Sequence, residues 1–149
     1  MSKIPPYLKK ADTIGIVAPA GFMDVEKMQA CIETLDSWGY NVQLGATTHS
    51  SSQNYFSGTD EERLQDLQQM MDDRNIKAIL CARGGYGVSR IIDQINFKKF
   101  KKRPKWVIGF SDITVLHYTF FPIIKLRLYM HLWQRHLTMV SLPLNTSNL

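Results

Sequence analysis

The chain has 149 residues, 44% hydrophobic and 21% charged, which suits one domain with its own core and excludes disordered and fibrous classes. The formal net charge of +5 raises the question of nucleic acid. Much of the excess, however, sits in Lys98, Lys99, Lys101, Lys102, Arg103 and Lys105. Without aromatic interleaving or a recognition motif, that run is expected to be a solvated turn, and no nucleic-acid partner is expected.

Met1-Ser2-Lys3-Ile4-Pro5-Pro6 lacks the apolar core of a signal peptide, so the expected location is cytoplasmic. Thr13 to Ala18 is a short β-branched apolar run ended by Pro19-Ala20-Gly21, as in a buried parallel strand. Asp24 is placed to cap a helix whose apolar positions Met28, Cys31, Ile32, Leu35 and Trp38 recur at helical spacing, with Gly39 at its carboxyl end. Asn41 to Leu44 reads as a second strand, and the polar stretch from Gly45 to Gly58 as an exposed loop.

Thr59 with Glu62 forms a capping box ahead of a helix with Leu64, Leu67, Met70 and Met71 on its buried stripe. Asp60, Glu61, Glu62 and Asp66 then read as that helix's charged start rather than an acid/base pair. Ile76 to Cys81 is the third strand, Val88 to Ile95 a short helix, and Trp106 to Gly109 the fourth strand. Strands separated by helices of this length pair in parallel, so the expected fold is α/β, a doubly wound, flavodoxin-like sheet. Cys31 and Cys81 lie far apart in apolar segments without metal spacing; buried free thiols and no metal are expected. The apolar stretch from Ile113 to Leu132 is interrupted by His117, Pro122, Lys125 and Arg127 and makes a poor membrane span, so no membrane partner is expected.

In such sheets ligands bind beyond the carboxyl ends of the strands. Three loops occupy that edge: Pro19-Ala20-Gly21, Arg83-Gly84-Gly85-Tyr86-Gly87 and Phe110-Ser111-Asp112. Ser111 follows an apolar strand and precedes a helix-like segment. A serine on that turn presents its hydroxyl above the sheet, with the next N–H aimed at a developing oxyanion. Ile113 stands where G-x-S-x-G has its second glycine, so Ser111 as a plain helix N-cap is the competing reading. The glycine loop matches neither the P-loop nor the dinucleotide spacing. It reads as a tight turn, a phosphate cradle or a second oxyanion donor. Of the histidines, His49 lies in the polar loop, His117 is turned away from the serine's face, and His131 and His136 lie in the tail. No general base emerges.

Four segments together resemble the LD-carboxypeptidases, the muramoyltetrapeptide carboxypeptidases. They are Pro6 to Gly21, Phe56 to Arg63, Ala82 to Gly87, and Pro104-Lys105 leading to Gly109-Phe110-Ser111-Asp112-Ile113-Thr114. The resemblance implies a cytoplasmic serine peptidase that removes terminal D-alanine from murein tetrapeptide in cell-wall recycling. It needs no cofactor, and the full-length family includes homodimers. Ser111 matches the nucleophile, the N–H groups of Asp112 and Gly85 the oxyanion donors, and Arg83, Gly84 and Tyr86 the substrate-binding loop. A Ser-Glu-His triad would be completed from a C-terminal catalytic domain absent from these residues. A related branch cleaves peptide-nucleotide antibiotics; a non-catalytic flavodoxin-like binding module is the alternative outside the family.

The resemblance covers residues 6–117, giving an N-terminal α/β domain over 1–117 and an aberrant tail over 118–149. Read with each codon's third base joined to the next codon's first two, Met130-His131 and Trp133-Gln134 each force alanine, and Met139-Val140 forces glycine. The free positions between them allow a family-like continuation. A frameshift near Tyr118 is therefore expected, the alternative being a genuine divergent tail that packs as an amphipathic helix.

Overall fold

The computed structural model describes residues 4–49 and 55–124, with only the backbone for 121–124. Four parallel strands, β1 (Thr13–Val17), β2 (Asn41–Leu44), β3 (Ile76–Cys81) and β4 (Trp106–Ile108), form one sheet in the order β2-β1-β3-β4. That order, with helical crossovers, is the doubly wound arrangement expected from the sequence. Strand β1 is central, pairing Ile14 with Val42 on one side and with Ala78 on the other.

Alternation along the strands divides the core in two. Ile14, Ile16 and Ala78 pack with Met28 and Leu35 of α1 (Val25–Ser37). Val17, Ile79, Cys81 and Val107 pack with α2 (Asp60–Asp72), α3 (Val88–Ile91), α4 (Lys98–Lys102) and α5 (Thr114–Ile124), through residues such as Leu67, Ile91, Phe100 and Phe120. Local signals set the helix starts. The Asp24 carboxylate accepts from Glu26 N–H at 3.0 Å, and Thr59 and Glu62 close their capping box. Both cysteines are free thiols; Cys81 is buried, with its thiol pushed up to about 12 by burial, whereas Cys31 is half-buried.

Several expectations are corrected. The stretch from Gly45 is not a simple exposed loop: Ala46–His49 form a 3-10 turn, and Thr47, Thr48 and Ser57 are buried. The organising group is Asp66, itself buried, which accepts from Ala46 N–H (3.1 Å), Thr47 N–H (2.9 Å) and the Thr47 hydroxyl. It is an internal anchor rather than part of a charged helix start. Leu64 is only half-buried, its expected place on α2 shared by Arg63 and Asp66. The basic run is not one solvated turn, because Lys98–Lys102 form α4 and Lys105 is buried, donating to the carbonyls of Met70 (2.7 Å) and Asp73. The helix after the glycine loop ends at Ile91 and continues as a 3-10 turn, Ile92–Gln94. Within the span given to the aberrant tail, residues 118–124 continue α5 through Pro122; the rest of that tail lies outside the described residues.

Candidate active site

Strand β4 ends at Ile108, and Phe110 is still extended at φ −143°. Ser111 then takes φ +57°, a left-handed conformation that it shares with Ala11 alone among the described non-glycine residues. This conformation costs a side-chain-bearing residue about 1–2 kcal/mol and persists only where neighbours enforce it. Here Ile113 N–H donates to Phe110 C=O at 3.2 Å, and the Thr114 hydroxyl to Ser111 C=O at 2.6 Å. The Ser111 side chain is exposed, and its hydroxyl makes no hydrogen bond among the described residues. The cap position of the turn is Phe110, with no side-chain capping bond. The N-cap reading of Ser111 does not hold.

The glycine loop closes against this turn. A first side-chain carbon on Gly84 would stand 3.0 Å from Ser111 Cβ and 3.4 Å from Asp112 N, a crowded contact that glycine avoids. Gly85, at φ +150°, turns the chain away toward Gly21 and Tyr55. Gly84 rather than Gly85 is therefore the loop residue against the serine side chain. The Asp112 carboxylate accepts Val88 N–H at 2.8 Å, tying the serine turn to the start of α3.

Beneath the loops lies a group that the sequence reading placed only in a motif. Arg63 is fully buried, and burial draws its pKa below the usual arginine value while Asp60 opposes this. One nitrogen, Nη1, donates to both Pro19 C=O (2.8 Å) and Gly87 C=O (2.9 Å). The other, Nη2, pairs with Asp60, and the guanidinium lies 4.8 Å from the centre of the Phe56 ring. Asp60 is in turn gripped by Arg90, whose Nε reaches both carboxylate oxygens at 2.9 Å. The Arg90 hydrogen bonds and the two cationic neighbours hold the Asp60 carboxyl below its ordinary value. A signal was present in the sequence: Arg63 precedes Leu67 and Met70 by four and seven residues, on the buried stripe of α2.

The remaining candidates divide. Arg83 is exposed and turned toward the loop after β1, donating to Phe22 C=O at 3.2 Å. Tyr86 is exposed and stacks on Tyr55, ring centres 6.2 Å apart. His117 is buried on α5, with Nε2 3.1 Å from Val107 C=O, and burial lowers its pKa. His49 is exposed; His131 and His136 lie outside the described residues. Among the described residues no imidazole or carboxylate hydrogen-bonds Ser111, and no group of side chains could hold a metal ion.

Sequence comparison settles the family. The LD-carboxypeptidase N-terminal domain matches residues 14–131. The chain belongs to the LD-carboxypeptidase family. It is 42% identical over 113 residues to the probable murein peptide carboxypeptidase of Bacillus subtilis (strain 168), covering 76% of this chain and 35% of that protein. With the murein tetrapeptide carboxypeptidase of Pseudomonas aeruginosa it shares 33% over 104 residues, 69% of this chain and 34% of the other. The chain thus spans about a third of the length of the curated relatives it matches.

Solved LD-carboxypeptidase-like structures agree. An MccF-like protein from Bacillus anthracis superposes with a TM-score of 0.77 at 26% identity, over 84% of this chain and 39% of that one. The muramoyltetrapeptide carboxypeptidase from Oxalobacter formigenes gives 0.61 at 30%, over 70% and 34%. The family match runs beyond the boundary expected at 117, which falls inside α5.

Proposed function

We propose that this chain is the nucleophile-bearing N-terminal domain of a cytoplasmic serine LD-carboxypeptidase that releases terminal D-alanine from murein tetrapeptide during peptidoglycan recycling. One observation carries the reading: Ser111 sits at φ +57°, exposed against the glycine loop, its hydroxyl without a hydrogen-bond partner among the described residues. In the reaction, Ser111 Oγ bonds to the carbonyl carbon of the diamino acid, and the C–N bond to D-alanine breaks as its nitrogen takes up a proton. Water then hydrolyses the ester and restores the hydroxyl. The N–H groups of Asp112 and Gly85 are assigned to the oxyanion, and Arg83, Gly84 and Tyr86 to substrate contact.

A serine hydroxyl is protonated at pH 7 and needs a positioned base. With none hydrogen-bonded to Ser111 among the described residues, residues 1–149 on their own are expected to release D-alanine about three or more orders of magnitude more slowly than a complete triad enzyme. The murein substrate is preferred to a peptide-nucleotide antibiotic because the relatives at 33% and 42% identity carry murein peptidase names. The microcin C7 immunity protein MccF, at 24%, shares the fold alone.

The test is active-site labelling. A fluorophosphonate should modify Ser111 slowly, for want of a base, yet in preference to every other serine, read by peptide mass spectrometry after long exposure, with loss of the adduct in Ser111→Ala. Labelling spread evenly over surface serines, with tight nucleotide binding by calorimetry, would instead indicate a non-catalytic binding module.

A further inference from the structure

The Arg63 side chain has no part in the chemistry described so far, yet it is fully buried and spans two loops of the site. Its Nη1 joins the loop after β1, at Pro19, to the end of the glycine loop, at Gly87. These carbonyls lie 44 and 24 residues from Arg63 in sequence, so no local element fixes them relative to each other. Phe56, under the guanidinium, pairs its backbone with Gly21, and Gly21 N–H donates to Gly84 C=O at 3.2 Å. Gly84 in turn touches Ser111.

We infer that Arg63 is a positioning residue for the Ser111 centre, its guanidinium setting the distance between the glycine loop and the serine turn. The inference rests on the reading of Ser111 as nucleophile. A planar fork with several donors suits the task, because one group can satisfy two carbonyls and a carboxylate at fixed angles, which an ammonium cannot do in the same plane. The loop is then held at three points: Gly84 by Gly21, Gly87 by Arg63, and Val88 by the Asp112 carboxylate. Between them Gly85 and Tyr86 have little freedom to shift relative to Ser111.

The experiment compares the two buried cations. In Arg63→Gln the second-order rate of fluorophosphonate labelling at Ser111 should fall about ten-fold or more. Methylguanidinium in the millimolar range should return Arg63→Ala to within about three-fold of the unaltered chain. Lys105→Met, at the opposite edge of the sheet, should lower thermal stability yet leave labelling within about two-fold. Unchanged labelling in Arg63→Gln, or an equal fall in Lys105→Met, overturns the inference.

If the unaltered chain does not label, the nucleophile reading is what fails, and Arg63 is judged by amide hydrogen exchange. Gly21 and Val88 N–H should then lose about ten-fold or more of their protection in Arg63→Gln and keep it in Lys105→Met; equal protection in both overturns the inference. Should Arg63→Gln not fold, Asp60→Ala, which removes the Nη2 partner, takes its place, with a fall of about three-fold expected in the same measurements.

Discussion

The two edges of the sheet bury charge for different ends. At the carboxyl edge the Arg63 guanidinium spans carbonyls on two separate loops and an aspartate, with a strained serine nearby. At the amino edge the Lys105 ammonium donates to Met70 and Asp73, both at the carboxyl end of α2, and the left-handed residue at that edge is Ala11, at φ +67° just before β1. Burying an ion costs several kcal/mol unless its hydrogen bonds are met. Lys105 closes off one helix end, where a cation is electrostatically favoured. Arg63 instead joins two loops far apart in sequence, adding to the single backbone bond from Gly21 N–H to Gly84 C=O. The difference teaches where the fold is held for stability and where it is held for geometry.

The largest expected effect tests whether the carboxyl edge depends on charge at all. Asp66 lies three residues beyond Arg63 on α2 and holds the turn after β2 through three hydrogen bonds. Asp66→Ala strands those donors in a buried site and should lower stability by about 3 kcal/mol, read as a fall in the urea midpoint. A loss under about 1 kcal/mol would place Asp66 among ordinary surface carboxylates.

The next prediction separates the two cations by pH. Burial draws the Lys105 pKa down to about 8 from an ordinary 10.5, while an arginine stays charged throughout. Between those values the unfolded chain holds a proton that the folded chain has released, so folding stability rises with pH across that window. The neutral amine still carries two N–H donors for its two carbonyls. Relative to Lys105→Met, the unaltered chain should gain about 2 kcal/mol between pH 8 and pH 10.5. Parallel urea midpoints for the two proteins over that range would show that Lys105 stays charged, and the contrast between the edges would lose its electrostatic part.

These groups also mark where the sequence was readable and where it was not. The cap at Asp24, the Thr59–Glu62 box and the β-branched runs of the four strands work within a few residues, so composition and spacing reveal them. Ser111 and the glycine loop were legible as neighbours because strand ends share an edge in a parallel sheet. Arg63, Asp66 and Lys105 were not, since their partners arrive from 19 to 44 residues away. A charged side chain reads as exposed until those carbonyls and amides are known to surround it. The Asp112 carboxylate was missed for the same reason: its acceptor role toward Val88 exists only once β4 lies beside β3.

The smallest expected effect bears on whether the strain belongs to the site. At φ +57° Ser111 carries a conformational cost of about 1–2 kcal/mol that glycine does not. Glycine also has more freedom to lose on folding, about 0.5–1 kcal/mol. The balance leaves Ser111→Gly about 0.5–1 kcal/mol more stable than the unaltered chain, which for a chain of this size is a rise of about 1–4 °C in Tm. Ser111→Ala keeps the β-carbon and hence the strain, so its Tm should stay within about 1 °C. Both variants abolish labelling, which makes Tm the only property that distinguishes them. A gain confined to the glycine variant means that the fold holds a weakened position where the hydroxyl is needed, as active sites do when stability and chemistry conflict. A loss in Ser111→Gly would mean that the bend is relaxed, and the contrast between the edges would then rest on their buried charges.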